Sequence, residues 1–164
     1  MAKKSWIPFT IALTVFIFSL GFSLSIGSEI VNRPGEWQYT AQFTQKYIGT
    51  VNSGADISLI DYLVYAAKYE PIFPLLMYIS GLYALTMAAY LILEKNKIRF
   101  SVFVGVFGIV LTALSTIFFD SPTLGGKVLS GFLLVSGIGY MAGASAFFYY
   151  QNGGRRMKHI SSNS

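Results

Sequence analysis

Four stretches of the chain carry no Asp, Glu, Lys, Arg or His: residues 5–28, 71–93, 100–119 and 128–150. Each reaches the roughly 20 apolar residues a helix needs to cross a hydrocarbon core about 30 Å thick. One such run suits a buried helix of a soluble protein; four predict a polytopic membrane protein. The expected spans are 7–27, 71–93, 100–119 and 128–150, forming an all-α four-helix transmembrane bundle as the single domain of a 164-residue chain. Pro8 fits the first turn of the first span, where its missing N–H costs nothing. Trp6 and Phe9 stand at interface depth, and Phe147-Phe148-Tyr149-Tyr150 closes the fourth span with an aromatic belt. The polar tail 151–164 is expected to be irregular.

The loop 29–70 carries a different pattern. Asn32-Arg33-Pro34-Gly35-Glu36 reads as a turn. Trp37, Tyr39, Ala41 and Phe43 then alternate with Gln38, Thr40, Gln42 and Thr44, the period of a half-buried strand. From 56 to 69 the period changes to that of a helix. Ile57, Leu59, Ile60, Leu63, Val64, Ala66 and Ala67 fill one half of the wheel; Ser58, Asp61, Tyr62, Tyr65, Lys68 and Tyr69 fill the other. Asp56 is the expected N-cap, and Pro71 ends the helix by excluding Glu70 from helical geometry. An amphipathic helix of this kind lies on a membrane or caps a bundle, which leaves Asp61 and Lys68 pointing to water. The strand is expected to pack Trp37, Tyr39 and Phe43 over the end of the bundle. The helix would then present Tyr62, Tyr65 and Tyr69 outward, and these six aromatic residues make the candidate interaction surface.

Charge supplies orientation. Lys3, Lys4, Lys95, Lys97, Arg99, Arg155, Arg156 and Lys158 fall on one side of the predicted membrane with Glu94 alone against them, a balance of +7. The other side, with Arg33, Lys46, Lys68 and Lys127 against six acidic residues, stands at −2. Positive charge marks the cytoplasmic face, so both termini are expected inside and the 29–70 loop outside. The net +5 is thus a topology signal and a contact for anionic lipid head groups, and it does not imply a nucleic-acid partner. The first span could pass for a signal peptide, with Ser25-Ile26-Gly27 at a cleavage position, but its apolar run is longer than such segments use. Retention is expected.

Three short stretches of the first half carry a resemblance: Gly27-Ser28-Glu29, Glu36-Trp37-Gln38-Tyr39, and Asp61-Tyr62-Leu63-Val64-Tyr65-Ala66-Ala67-Lys68 before a proline-rich helix start. The chain resembles a family of small Bacillus-type integral membrane proteins of unassigned function. The resemblance implies a Gram-positive cell membrane and brings no catalytic residues with it.

The chemistry absent from the chain is also informative. With no cysteine, disulfides, thiol relays and cysteine metal ligation are excluded. Ionisable residues inside spans usually mark function, and here none lies there, so proton relays and intramembrane acid–base catalysis lack their residues. The single histidine, His159, is in the tail, which removes paired-histidine haem ligation. No enzyme activity and no cofactor are expected. Glu29, Glu70 and Asp120 fall at outer helix ends and form a candidate cation cluster, with ordinary interfacial carboxylates as the plainer account. Small residues are expected to set the helix packing. Gly105, Gly108, Thr112 and Ser115 mark the third span, and Gly139 and Gly143 with Ser136 and Ala146 the fourth. Ser80, Ala84 and Ala88 mark the second, and Thr10, Thr14, Gly21 and Ser25 the first. A homodimer seam is the alternative use of the same glycines. The expected function is that of a non-catalytic accessory protein acting through its outer loop on a protein partner, an envelope polymer or lipid. The alternative is a small transporter or channel for a neutral or apolar solute, lined by Tyr78, Tyr83, Tyr90 and Tyr140.

Overall fold

A computed structural model describes residues 2–93, 96–119 and 123–161. Among the described residues seven α-helices follow one another: α1 (Ala2–Gly27), α2 (Pro34–Thr40), α3 (Gln42–Tyr47), α4 (Leu59–Tyr69), α5 (Ile72–Leu93), α6 (Lys97–Phe119) and α7 (Leu124–Ser161). Two 3₁₀ turns, Ser28–Asn32 and Gly54–Asp56, join the short ones. Helices α1, α5, α6 and α7 are long and apolar enough to cross a membrane. Pro8 lies inside α1 rather than in its first turn, because the helix begins at Ala2. Past Tyr150, where an irregular tail was expected, α7 continues to Ser161.

The predicted strand is not there. No strand occurs among the described residues; Trp37–Phe43 is split between α2 and α3, which meet at Ala41 with φ −83° and ψ 47°. Trp37, Thr40, Ala41 and Thr44 are the positions turned inward, spaced i, i+3, i+4, i+7 as a helical face requires. Two of those four are threonines, so the same residues also read as an alternation of apolar and polar positions. Pro34 opens α2 at a position where its ring suits the helix. Ser58, not Asp56, caps α4, its hydroxyl accepting from the Ile60 N–H at 3.1 Å. Asp56 instead closes the preceding 3₁₀ turn, its carboxylate accepting from the N–H groups of Ser53 (2.9 Å) and Asn52 (3.2 Å). Those two backbone bonds hold its pKa below the ordinary aspartate value.

The chain divides into two compact units. The first holds the chain up to Leu85 together with the start of α7 as far as Leu129. In it α1 presents Ala12, Ser19, Ser23 and Gly27 as its buried positions, while the expected seam residues Thr10, Thr14, Gly21 and Ser25 are all exposed. Phe22 stacks on Phe73 of α5 with ring centroids 4.9 Å apart. Helix α4 is seated by two close approaches. A Cβ on Gly27 would collide with the Tyr62 carbonyl, and one on Gly125 with the Ala67 carbonyl. Ile30, Ala41, Ile57 and Tyr65 form a small buried core in the 28–70 segment, with Trp37, Val51 and Tyr62 packed against it.

The second unit runs from Thr86 through α6 and takes α7 from Ser130 onward. Here α6 and α7 pack antiparallel. The Ser101 hydroxyl donates to the Ala144 carbonyl at 2.9 Å, and the Ser130 hydroxyl to the Ser115 carbonyl at 3.0 Å. Between these bonds Gly108 lies against Gly137 and Met141, and Gly137 against Thr112. On α7 the buried positions Ser130, Leu133, Gly137 and Ala144 follow a heptad rhythm. The expected pair Gly139 and Gly143 is exposed, with nothing within 4 Å of where a Cβ would stand. Gly105 and Gly108 do lie on the α6 contact face, Gly105 beside Ala144. The GxxxG spacing marks a different side of α7 from the one that packs on α6, where a seven-residue repeat of small side chains makes the contact.

Candidate functional site

The 28–70 segment holds most of the chain's specific polar chemistry, and α4 organises it. Asp61, fully buried, reaches across to the start of α3. Its carboxylate accepts from the N–H of Phe43 (3.1 Å), the N–H of Thr44 (2.9 Å) and the Thr44 hydroxyl (2.6 Å). Those two N–H groups are the ones a local N-cap would satisfy, and α3 has no side-chain cap of its own. The Thr44 oxygen in turn accepts from the Ser58 N–H at 2.9 Å. Asp61 is therefore a cap supplied from 17 residues away, where a solvated residue was expected.

Two turns further on, Lys68 is also turned inward. Its ammonium donates to the Thr40 hydroxyl at 2.9 Å and to the Tyr39 carbonyl at 3.4 Å. Burial lowers its pKa, and the nearby Glu36 carboxylate partly offsets that. Thr40 donates weakly to Glu36 at 3.4 Å. The Tyr69 hydroxyl hydrogen-bonds the same carboxylate, which together with partial burial raises its pKa to about 12. Tyr65, between the two sets, is only 2% exposed and tilts against Tyr69 at 4.6 Å; desolvation raises its pKa as well. The polar half of the α4 wheel thus faces α2 and α3. On the apolar half, Ala66 and Ala67 are buried and Leu59 and Ile60 are exposed.

The six aromatic residues of the expected surface are not presented together. Tyr39, Phe43 and Tyr69 are exposed, Trp37 and Tyr62 are partly buried against the core, and Tyr65 is inside it. Trp37 has a second role. A groove of about 860 Å³ opens beside it, bounded by Pro34, Gly35 and Gln38 of α2 and, opposite, by Gln45 and the turn Gly49–Val51. Gly49 takes φ +98°, a left-handed conformation that turns the chain back along the groove. The Trp37 indole N–H donates to the Ile30 carbonyl at 2.8 Å, and the Gln45 amide donates to the Trp37 carbonyl at 2.6 Å. Both side chains are therefore held in place. Of the groove's lining, the sequence placed Trp37 in the expected interaction surface and Pro34 and Gly35 in the expected turn; Gln45 carries no pattern that would distinguish it.

The remaining candidates form no common site among the described residues. Of the carboxylates proposed for a cation, Glu29 pairs with Arg33 at 3.6 Å in a largely exposed contact. Glu70 is the residue that ends α4, its N–H donating to the Ala66 carbonyl. Asp120 lies outside the described residues. No group of three His, Cys, Asp or Glu that could hold a metal occurs among the described residues. Tyr83 lies along a groove of about 390 Å³ between α1 and α5 with Pro8, Ala12 and Leu76. Tyr90 stands edge-on to Phe100, and Tyr140 stands edge-on to Phe107 with its hydroxyl bonded to Thr86.

No solved structure matches the chain. A relative from Bacillus subtilis (strain 168), "Uncharacterized protein YjdJ", is 36% identical over 88 residues, which cover 52% of this chain and 80% of that protein. The remaining fifth of that protein is too short for two further helices of spanning length. The matched family extends over residues 6–93, from α1 through the 28–70 segment to the end of α5, and so takes in the groove and both polar networks. The chain belongs to the family described as Domain of unknown function (DUF4306).

Proposed function

We propose that this protein is a non-catalytic accessory protein of a Gram-positive cell membrane. Its four long helices cross the bilayer as a bundle, both ends are cytoplasmic, and the 28–70 segment stands outside as a recognition platform. The observation that carries this reading is the buried core and hydrogen-bonded polar network of that segment. A connector between two neighbouring spans needs only a few residues, whereas this one is folded and holds a groove. The charge split of the sequence supports the orientation, and the Bacillus relative supports the setting.

Since the chain has no cysteine, single-cysteine variants test the orientation directly. With a membrane-impermeant thiol reagent on intact cells, Ser53→Cys is expected to label and Ser162→Cys to stay protected; the reverse pattern overturns the topology. The recognition role is tested by cross-linking in native membranes. The double variant Tyr39→Ser, Phe43→Ser alters two exposed side chains and is expected to accumulate normally but to lose cross-linked partners. An unchanged cross-link profile would remove the platform from the proposal.

A further inference from the structure

We propose that the groove beside Trp37 binds a neutral sugar chain, with a pyranose ring stacked on the indole. The inference rests on the accessory reading above and deepens it by naming a ligand class for the same segment. The groove's volume lies within the ~300–1,000 Å³ usual for small-molecule sites. No ionisable side chain lines it, so a phosphate, carboxylate or ammonium ligand would enter without a counter-charge and lose hydration for no return. What does line it is one large aromatic ring, one branched apolar side chain at Val51, the amides of Gln38 and Gln45, and the hydroxyl of Thr50.

That set matches the two faces of a sugar. The C–H groups on one side of a pyranose carry partial positive charge and are drawn to the negative face of an indole ring. The hydroxyls around the edge are both donors and acceptors, as are side-chain amides and threonine. The Trp37 N–H is already committed to the Ile30 carbonyl, so the ring offers ligand its π surface and not a hydrogen bond. The same bond fixes the ring before ligand arrives, which lowers the entropy lost on binding. A quaternary ammonium would call for a cage of several aromatic residues, and Trp37 is the only aromatic side chain in this lining. A proline-rich peptide uses an aromatic-lined groove, and a single ring serves it less well than it serves one sugar face.

The test uses the full chain in detergent, with Trp6→Phe so that Trp37 is the sole tryptophan fluorophore. It is titrated with a neutral N-acetylglucosamine tetramer, a polyanionic oligosaccharide and a proline-rich decapeptide. Saturable fluorescence change with the neutral tetramer, and none with the other two, is the expected result. Because Trp37 also packs on the core, Trp37→Ala could unfold the segment. The deciding variant is therefore Gln38→Ala with Thr50→Ala, two exposed positions, expected to weaken tetramer binding about tenfold with an unchanged melting temperature. Vesicles bearing the same neutral sugar as a lipid head group separate the two sources: binding of the free tetramer points to a wall polymer, and binding confined to vesicles points to a glycolipid. No saturable binding of neutral sugar in either form, peptide binding in its place, or affinity unchanged in the double variant overturns the proposal. If the thiol-labelling and cross-linking results stand while sugar binding fails, the ligand class is wrong and the accessory reading survives.

Discussion

The 28–70 segment and the α6–α7 pair bury opposite kinds of side chain. In the segment the interior includes Asp61, Thr40 and Thr44 with Tyr65, and its stability depends on hydrogen bonds that close on one another. Between α6 and α7 the interior is Ser, Gly, Ala and Leu, and what matters is how closely two backbones approach. The difference follows from the solvent each region is proposed to meet. A segment of some forty residues in water has too little apolar surface for a large core, so bonded polar groups fill out its interior. Two helices in hydrocarbon gain nothing from hiding leucine, because lipid is just as apolar, and small side chains that admit close packing take over.

The comparison can be broken most directly at Asp61. Asp61→Ala leaves two backbone N–H groups and a threonine hydroxyl buried without their acceptor. The segment should lose about 3 kcal/mol, seen as faster hydrogen exchange over residues 42–47 with the exchange of α6 and α7 unchanged. A loss below about 1 kcal/mol would mean that the polar network is not what holds the segment.

The next effect falls on the other region. Gly137→Leu drives a side chain into the Thr112 and Gly108 backbones and should cost about 2 kcal/mol of thermal stability in detergent. Gly139→Leu, on the open face, should cost almost nothing. If the two melt alike, the seam described for α7 is wrong.

Removing the serine bonds at the two ends of that seam sharpens the contrast. Ser101→Ala and Ser130→Ala are each expected to cost about 0.6 kcal/mol, because for helices that lie in a bilayer, as proposed for α6 and α7, partners remain available in the reference state. A cost approaching that of Asp61→Ala would erase the distinction between the regions.

The smallest effect is pH-dependent. The Tyr69 pKa is raised to about 12 by its bond to Glu36 and by burial. The neutral hydroxyl therefore contributes stability in full below the ordinary tyrosine pKa near 10, and that contribution is lost as pH rises toward 12. Solvent screening at this exposed site keeps it to about 0.5 kcal/mol. Tyr69→Phe should flatten the segment's unfolding profile between pH 10 and 12, and a slope equal to the parent's would dissociate Tyr69 from Glu36.

The four long helices were legible in the sequence because the absence of charge over twenty residues is a one-dimensional signal. The periodicity of α4 was legible too, but not what covered each half of its wheel. Asp61 and Lys68 looked solvated because their partners, Thr44 and Thr40, stand 17 and 28 residues away. The helical face Trp37–Thr40–Ala41–Thr44 was hidden for the same reason: a threonine counts as polar until its buried partner is known. On α7 the glycine spacing at 139 and 143 outweighed the seven-residue recurrence of Ser130, Gly137 and Ala144, because serine and alanine are weak signals individually. The groove at Trp37 depends on the turn at Gly49, which places Thr50 and Val51 opposite α2, and such a return of the chain has no periodic signature.

The two glycine seats of α4 bear on the order of biosynthesis. Gly27 precedes α4 in the chain, so that seat exists when α4 is made, whereas Gly125 does not leave the ribosome until α5 and α6 have been synthesised. At roughly 5–20 residues per second, α4 waits several seconds on its first seat before the second can close over Ala67. The family match, ending at residue 93, contains the early seat and not the late one. The second seat of α4 becomes available only once α7 begins.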